Sequence, residues 1–180
     1  VPGDILAGHA CVTLFSEFSL WRFLLLCLCS ALLYCGGLIL NDCLDYNEDC
    51  RERPKRPLPS GAINIRDAYL AWIVSTVLAL TICWFISTAS FNIALILAVL
   101  IILYNGPARK FPGVAFVIMG LCRGFNLLLG ASTAIGTSDV AANITPVFLT
   151  ETLYILAVTY IAYNETKKLP SRMWCMMPFM

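Results

Sequence analysis

The run Asn41-Asp42-Cys43-Leu44-Asp45-Tyr46-Asn47-Glu48-Asp49 carries three aspartates, Asp42, Asp45 and Asp49, spaced three and then four residues apart. At about 100° per residue a helix would gather these carboxylates within about 60° of arc, with Asn41, Glu48 and Glu52 beside them. Like charges at this spacing repel by roughly 0.2–0.5 kcal/mol per pair, so the face calls for a cation. Carboxylate oxygens without histidine suit Mg²⁺, whose coordination is often completed by substrate phosphates. Immediately afterwards come Arg51, Arg53, Lys55 and Arg56, then Pro57-Leu58-Pro59-Ser60-Gly61. An acidic, metal-binding face next to a cationic loop suits a diphosphate: the metal bridges the phosphates and the cations neutralise a leaving group. The competing readings are a solvated helix end for the acids and a contact with anionic lipid for the bases.

The elements that must position this face lie in a membrane. Apolar residues make up 59% of the 180-residue chain and charged residues 13%, with a mean hydropathy of +0.80. Soluble domains run near 45–50% and 25%. One core of this size cannot hide so much apolar surface, which excludes a soluble enzyme, a disordered chain and a nucleic-acid binder. The net charge of +1 gives no field that would recruit a polyanion. Spans are expected at 19–40, at 112–131 and at 144–163. The charge-free stretch between Asp67 and Arg109 forms a hairpin turning near 87–92, with a short second arm ending about Tyr104. Gly130, Gly136 and Pro146 should bracket the last connection. The run 5–15 is too short to span, and the segment 173–180 begins a new apolar run. The chain thus reads as one all-α, polytopic transmembrane domain over residues 1–180, truncated at both ends: five full spans with a partial span on either side. A signal peptide is not expected, since no basic region or cleavage site precedes the first run.

Ten of the twelve Lys and Arg fall in three alternate connections: Arg51 to Arg66; Arg109 and Lys110; and Lys167, Lys168 and Arg172. The positive-inside rule puts these loops, and the acidic face with them, in the cytoplasm. The expected site is a bacterial plasma membrane. The nine cysteines form no disulfide framework, because most sit in apolar runs and behave as small hydrophobes. Cys43 and Cys50 stand beside carboxylates better suited to magnesium than to zinc. His9 reads as a polar residue near a helix interface.

The motif NDxxDxxxD followed by RPKRPLPSG resembles the first signature of the UbiA superfamily of intramembrane prenyltransferases. Tyr104-Asn105-Gly106-Pro107-Ala108-Arg109-Lys110 is similar to that family's Tyr-then-Lys loop. The resemblance implies about nine helices around a central cavity open to lipid, a polyprenyl diphosphate donor, Mg²⁺ and a lipophilic, often aromatic acceptor. It implies that Asn41, Asp42, Asp45 and Asp49 hold magnesium and diphosphate, that Arg56 and Lys110 contact the diphosphate, and that Tyr104 lines the cavity. The family's second Asp-rich motif is altered here. The matching stretch, Ala162-Tyr163-Asn164-Glu165-Thr166-Lys167-Lys168, offers Glu165 as its one charged metal ligand and Asn164 as a weaker oxygen donor. The run Met119 to Asn126 resembles a UbiA-like branch. Its Arg123 and Asn126, one helical turn apart, are candidate cavity residues for substrate. Alternatives of other classes are a non-catalytic relative that binds a lipid diphosphate and a transporter or channel fragment with Arg123 in its pathway.

A lone charge at mid-bilayer is costly, and Arg123 and Glu151 lie at matching depths on neighbouring spans, so they are expected to pair. The topology is checked by an impermeant maleimide on intact cells: cysteines placed at Ser90 and Ser138 should label and Cys50 should not. Labelling of Cys50 without permeabilisation would invert the orientation.

Overall fold

A computed structural model describes residues 2–12, 19–132 and 138–167. It follows the span boundaries closely, because a chain in hydrocarbon must satisfy every backbone N–H and C=O within itself. The helices are α1 (Pro2–Val12), α2 (Leu20–Leu44), α3 (Tyr46–Glu52), α4 (Ile65–Ile86), α5 (Thr88–Asn105), α6 (Pro112–Ala131) and α7 (Ser138–Lys167), with a 3₁₀ turn at Pro107–Lys110 before α6. Five of them are long and apolar enough to cross a membrane, α7 through its segment Asn143–Glu165. The protein is an integral, multi-pass membrane protein. Large apolar side chains such as Phe85, 82% exposed, and Trp84, 63% exposed, face outward where lipid would solvate them.

Some details depart from the sequence reading. The hairpin turn narrows to Ser87 alone, held extended at φ −167° and ψ 158°; its hydroxyl accepts the Ser90 N–H and caps α5. Ser90 is itself fully buried, so the external label is expected at Ser138 rather than at Ser90. Pro146 is not part of a connection but lies inside α7. A membrane helix tolerates proline because neighbouring groups re-satisfy the freed backbone. The first helix starts at Pro2 and takes in Asp4, ahead of the apolar run read from 5. Gly136, Lys168, Arg172 and the run 173–180 lie outside the described residues, as do the side chains of 138–142, 166 and 167.

Helix α2 packs against α4, α5 bridges α4 and α6, and α6 also carries α1 and α7. The main core joins Ile5, Leu26, Cys29, Leu33, Cys83, Ala94, Leu97 and Leu129. Cys29 and Cys83 are there as small hydrophobes, with the Cys29 thiol reaching the Ala79 carbonyl at 3.5 Å. Where α6 crosses α7 and α1, glycine permits backbone contact, the usual basis of helix association in lipid. A Cβ added at Gly120 would stand 2.5 Å from the Thr152 carbonyl oxygen, and one at Gly8 would overlap the Leu127 carbonyl.

Gly120→Ala should therefore lower the melting temperature in detergent, as expected for overpacking worth about 1–3 kcal/mol. Gly113→Ala, on the same helix with open space around it, should be neutral or slightly stabilising. Equal melting temperatures for the two variants would remove the close α6–α7 crossing.

Candidate active site

The acidic face forms where α2 passes into α3. Asp45 is the joint, at φ −85° and ψ −2°. Its N–H still bonds the Asn41 carbonyl at 3.0 Å, and the Asp49 N–H bonds the Asp45 carbonyl at 2.8 Å. The helical spacing thus carries through the bend, and the carboxylates share one side as their spacing predicts.

Two loops then deliver cations to this side. After α3 the chain turns back on itself through bonds from the Arg56 N–H to the Arg53 carbonyl (3.0 Å) and the Ser60 N–H to the Arg56 carbonyl (2.9 Å). Gly61 closes the turn at φ 78°, a left-handed conformation that L side chains rarely adopt. Leu58 pins the loop by packing with Cys43 and Ala68. Arg56 then donates to Asp49 at 2.7 Å and lies 3.6 Å from Asp42. From the other loop, the 3₁₀ turn brings Arg109 onto Asp45, whose second oxygen accepts from the Asn41 amide at 3.0 Å. Asp49 and Asp45 are largely buried side chains, while that of Asp42 is 55% exposed. Hydrogen bonding to Asp49 holds the Arg56 guanidinium further into its charged form, and Asp45 does the same for Arg109.

The structure thus brings Asn41, Asp42, Asp45, Asp49 and Arg56 together. Lys110 is exposed, and its neighbour Arg109 pairs with Asp45. The loop thus supplies two adjacent cations, one paired and one exposed. Glu165 is exposed near the end of α7, and the Asn164 amide donates to the Tyr160 carbonyl at 2.9 Å. Among the described residues, no three His, Cys, Asp or Glu side chains are grouped as a ready-made metal site. The all-oxygen donors Asn41, Asp42, Asp45 and Asp49 nonetheless fit a hard cation that takes few protein ligands and completes its shell with phosphate and water.

Next to this face opens a cavity of about 390 Å³ between α2, α5 and α6. Asn41, Tyr104 and Asn105 line it toward the acidic face, and Leu33, Leu97 and Ile101 supply apolar wall. Its lining also includes Ser30, Arg123 and Asn126. Arg123 does pair with Glu151, at 3.8 Å, but its shorter bond is to Asp4 of α1 at 2.8 Å. Asp4 also accepts from the Asn126 amide at 2.8 Å, and the Asn126 oxygen accepts from Ser30 at 2.6 Å. Asp4 and Ser30 were not singled out in the sequence. The signal was there for Asp4, an aspartate in the first turn of an apolar helix, but its partner lies 119 residues away.

Comparison with known proteins follows the same lines. Digeranylgeranylglyceryl phosphate synthase of Thermococcus kodakarensis is 29% identical over 109 residues, covering 61% of this chain and 39% of that protein. Its counterpart in Methanoculleus marisnigri is 29% identical over 139 residues, covering 77% and 46%. The chain therefore spans less than half the length of these curated relatives. A solved structure concerned with digeranylgeranylglyceryl phosphate synthase in membranes superposes with a TM-score of 0.79 at 25% identity, over 92% of this chain and 58% of that one. The apo structure of a UbiA homologue from Aeropyrum pernix K1 gives 0.74 at 18% identity, over 89% and 62%, and speaks for the fold. The sequence profile of the UbiA prenyltransferase family matches residues 5–171, so with its paired loops, acidic face and apolar cavity the chain belongs to that family.

Proposed function

We propose that the protein transfers a prenyl group from a polyprenyl diphosphate to a lipophilic acceptor within the bilayer, with Mg²⁺ as cofactor. The observation that carries this reading is the convergence of Arg56 and Arg109, from two separate loops, on the aspartate face next to an apolar cavity. Family membership and the names of the relatives support it. Those names also direct the choice of acceptor toward a lipid alcohol rather than an aromatic ring. The orientation with these loops in the cytoplasm, and a plasma-membrane setting, belong to the same proposal.

In the proposed reaction the C1–O bond of the allylic diphosphate breaks and its electron pair leaves with the diphosphate. The acceptor oxygen bonds to C1 and gives up its proton to the departing diphosphate. Magnesium, when bound, spreads the negative charge of the leaving group. Asp42, Asp45 and Asp49 would hold it, with Glu165 as the remaining charged candidate from the altered second motif. Arg56 and Arg109 move from carboxylate to diphosphate oxygens, a like-for-like exchange of charge-assisted bonds. Asn41 and Tyr104 line the cavity on the side where C1 would sit. The apolar wall of Leu33, Leu97 and Ile101 keeps water from the allylic cation, which would otherwise be hydrolysed.

A non-catalytic lipid-diphosphate binder shares this geometry and differs in turnover. Magnesium plus a prenyl diphosphate should raise the melting temperature of the full-length protein in detergent, by the equivalent of about 2.7 kcal/mol at a hundredfold excess over Kd. Asp45→Asn should shrink the shift and abolish turnover, whereas Asp139→Asn, near the start of α7, should do neither. Parent-like binding and turnover by Asp45→Asn would reduce the acidic face to a solvated helix end.

The two neighbouring cations make a second test. Arg109→Gln should weaken diphosphate binding about tenfold to a hundredfold, the worth of one charge-assisted hydrogen bond. Lys110→Gln should change it less than threefold, roughly the value of an exposed charge. The reverse order would assign the leaving-group contact to Lys110.

A further inference from the structure

We infer that the side-chain oxygen of Asn105 faces the reacting carbon of the donor and stabilises the allylic cation as the C1–O bond breaks. The inference rests on the prenyl-transfer reading above and adds a catalytic residue to it. Asn105 ends α5, lines the cavity and is 5% exposed. Its amide nitrogen donates to the Ile101 carbonyl at 2.9 Å and to the Gly37 carbonyl of α2 at 3.4 Å. Both partners are carbonyl oxygens, so the nitrogen must face them and the amide oxygen must point the other way. Among the described residues that oxygen accepts no hydrogen bond. Ser30 and Asn126, the other buried polar side chains on the cavity wall, are engaged: Ser30 donates to the Asn126 oxygen at 2.6 Å, and the Asn126 amide donates to Asp4 at 2.8 Å.

A buried acceptor left without a donor is uncommon in a folded protein. Its position here gives it a use. Gly37, to which the amide is tied, lies four residues before Asn41 on α2, about 6 Å deeper at 1.5 Å rise per residue. Asp42 and Asp45 follow Asn41 at the end of the same helix. A diphosphate held on the acidic face therefore puts C1, joined to it through one bridging oxygen, near the level of Asn105. As that bond breaks, its electron pair leaves with the diphosphate, and C1 and C3 share the positive charge. An amide oxygen is the negative end of a dipole, and a fixed dipole aimed at developing charge in an apolar site acts strongly. The two bonds from the amide nitrogen hold that dipole in place before the reaction. Being neutral, it does not repel the donor's diphosphate as a further carboxylate would. As a very weak base it takes no proton, which leaves the acceptor's proton to the diphosphate.

The test reads C1–O cleavage in the full-length protein in detergent, with Mg²⁺ and no acceptor. The probe is geranylgeranyl diphosphate carrying ¹⁸O in the bridge to C1. Each time the bond breaks and re-forms, the label can move to a non-bridging oxygen of the same phosphate, and ³¹P NMR counts the exchange. Asn105→Thr should slow this scrambling about a hundredfold, as for the loss of one preorganised dipole. The new hydroxyl can still bond the Ile101 carbonyl, as Thr81 and Thr159 bond the carbonyls of Val77 and Ile155. Its Kd for the non-reactive S-thiolodiphosphate analogue should therefore stay within about threefold of the parent. Asn105→Asp, which keeps an oxygen toward the cavity, should scramble within about tenfold of the parent. Should Asn105→Thr not fold, Asn105→Ser makes the same comparison. Parent-like scrambling by the Asn105→Thr variant, or equal losses of scrambling and of analogue binding, gives Asn105 a packing role and overturns the inference while leaving the prenyl-transfer reading intact. A parent protein that never breaks the C1–O bond overturns both.

Discussion

Arg123 sits midway along α6, where hydrocarbon cannot solvate a guanidinium and an unpaired charge costs several kcal/mol. Much of the bundle's inner arrangement answers that single requirement. Asp4 of α1 supplies the closest counter-charge at 2.8 Å and Glu151 of α7 the second at 3.8 Å. Asp4 in turn needs its other oxygen occupied, which draws in Asn126, and Asn126 draws in Ser30 of α2. Four helices are thereby tied at one depth. Glycines complement the tie by letting α1 and α7 lie close enough on α6 for short side chains to reach.

At the other end of the cavity the same pairing rule works in reach of water and gives a different result. Asp42, Asp45 and Asp49 repel one another, and the structure balances them with arginines brought in by two loops. These pairs are partly exposed, so each contributes little to stability. What they do set is position: a row of acids and a pair of cations face each other beside an apolar cavity. Because an arginine fork fits carboxylate and phosphate equally well, it can exchange one for the other without a new geometry.

The membrane gives such a site something a soluble fold must build separately. A cavity between membrane helices takes its apolar wall, here Leu33, Leu97 and Ile101, from the spans themselves. The acidic face and its arginines lie at the helix ends, while deeper in the bundle Arg123, Asp4, Asn126 and Ser30 bond to one another.

Much of this was legible along the chain. Hydropathy located α6 to the residue, because nothing but length and apolarity decides a span. The acidic face was readable from its i, i+3, i+7 spacing, since a helix maps sequence distance onto angle. The matching depths of Arg123 and Glu151 came from the same rise per residue. Pro146 misled, because as a breaker it is read by its effect in water, and a membrane helix absorbs it. Three things belonged to the tertiary structure alone. That Arg109 meets Asp45 depends on a contact 64 residues long in sequence; that Asp4 is the nearest partner of Arg123 depends on one 119 residues long; and that Ser30, Arg123 and Asn126 line a cavity depends on how α2, α5 and α6 are set apart. Periodicity reports the face and depth of each residue on its own helix. Which helix stands opposite is settled by packing, and packing is where residues far apart in the chain first meet.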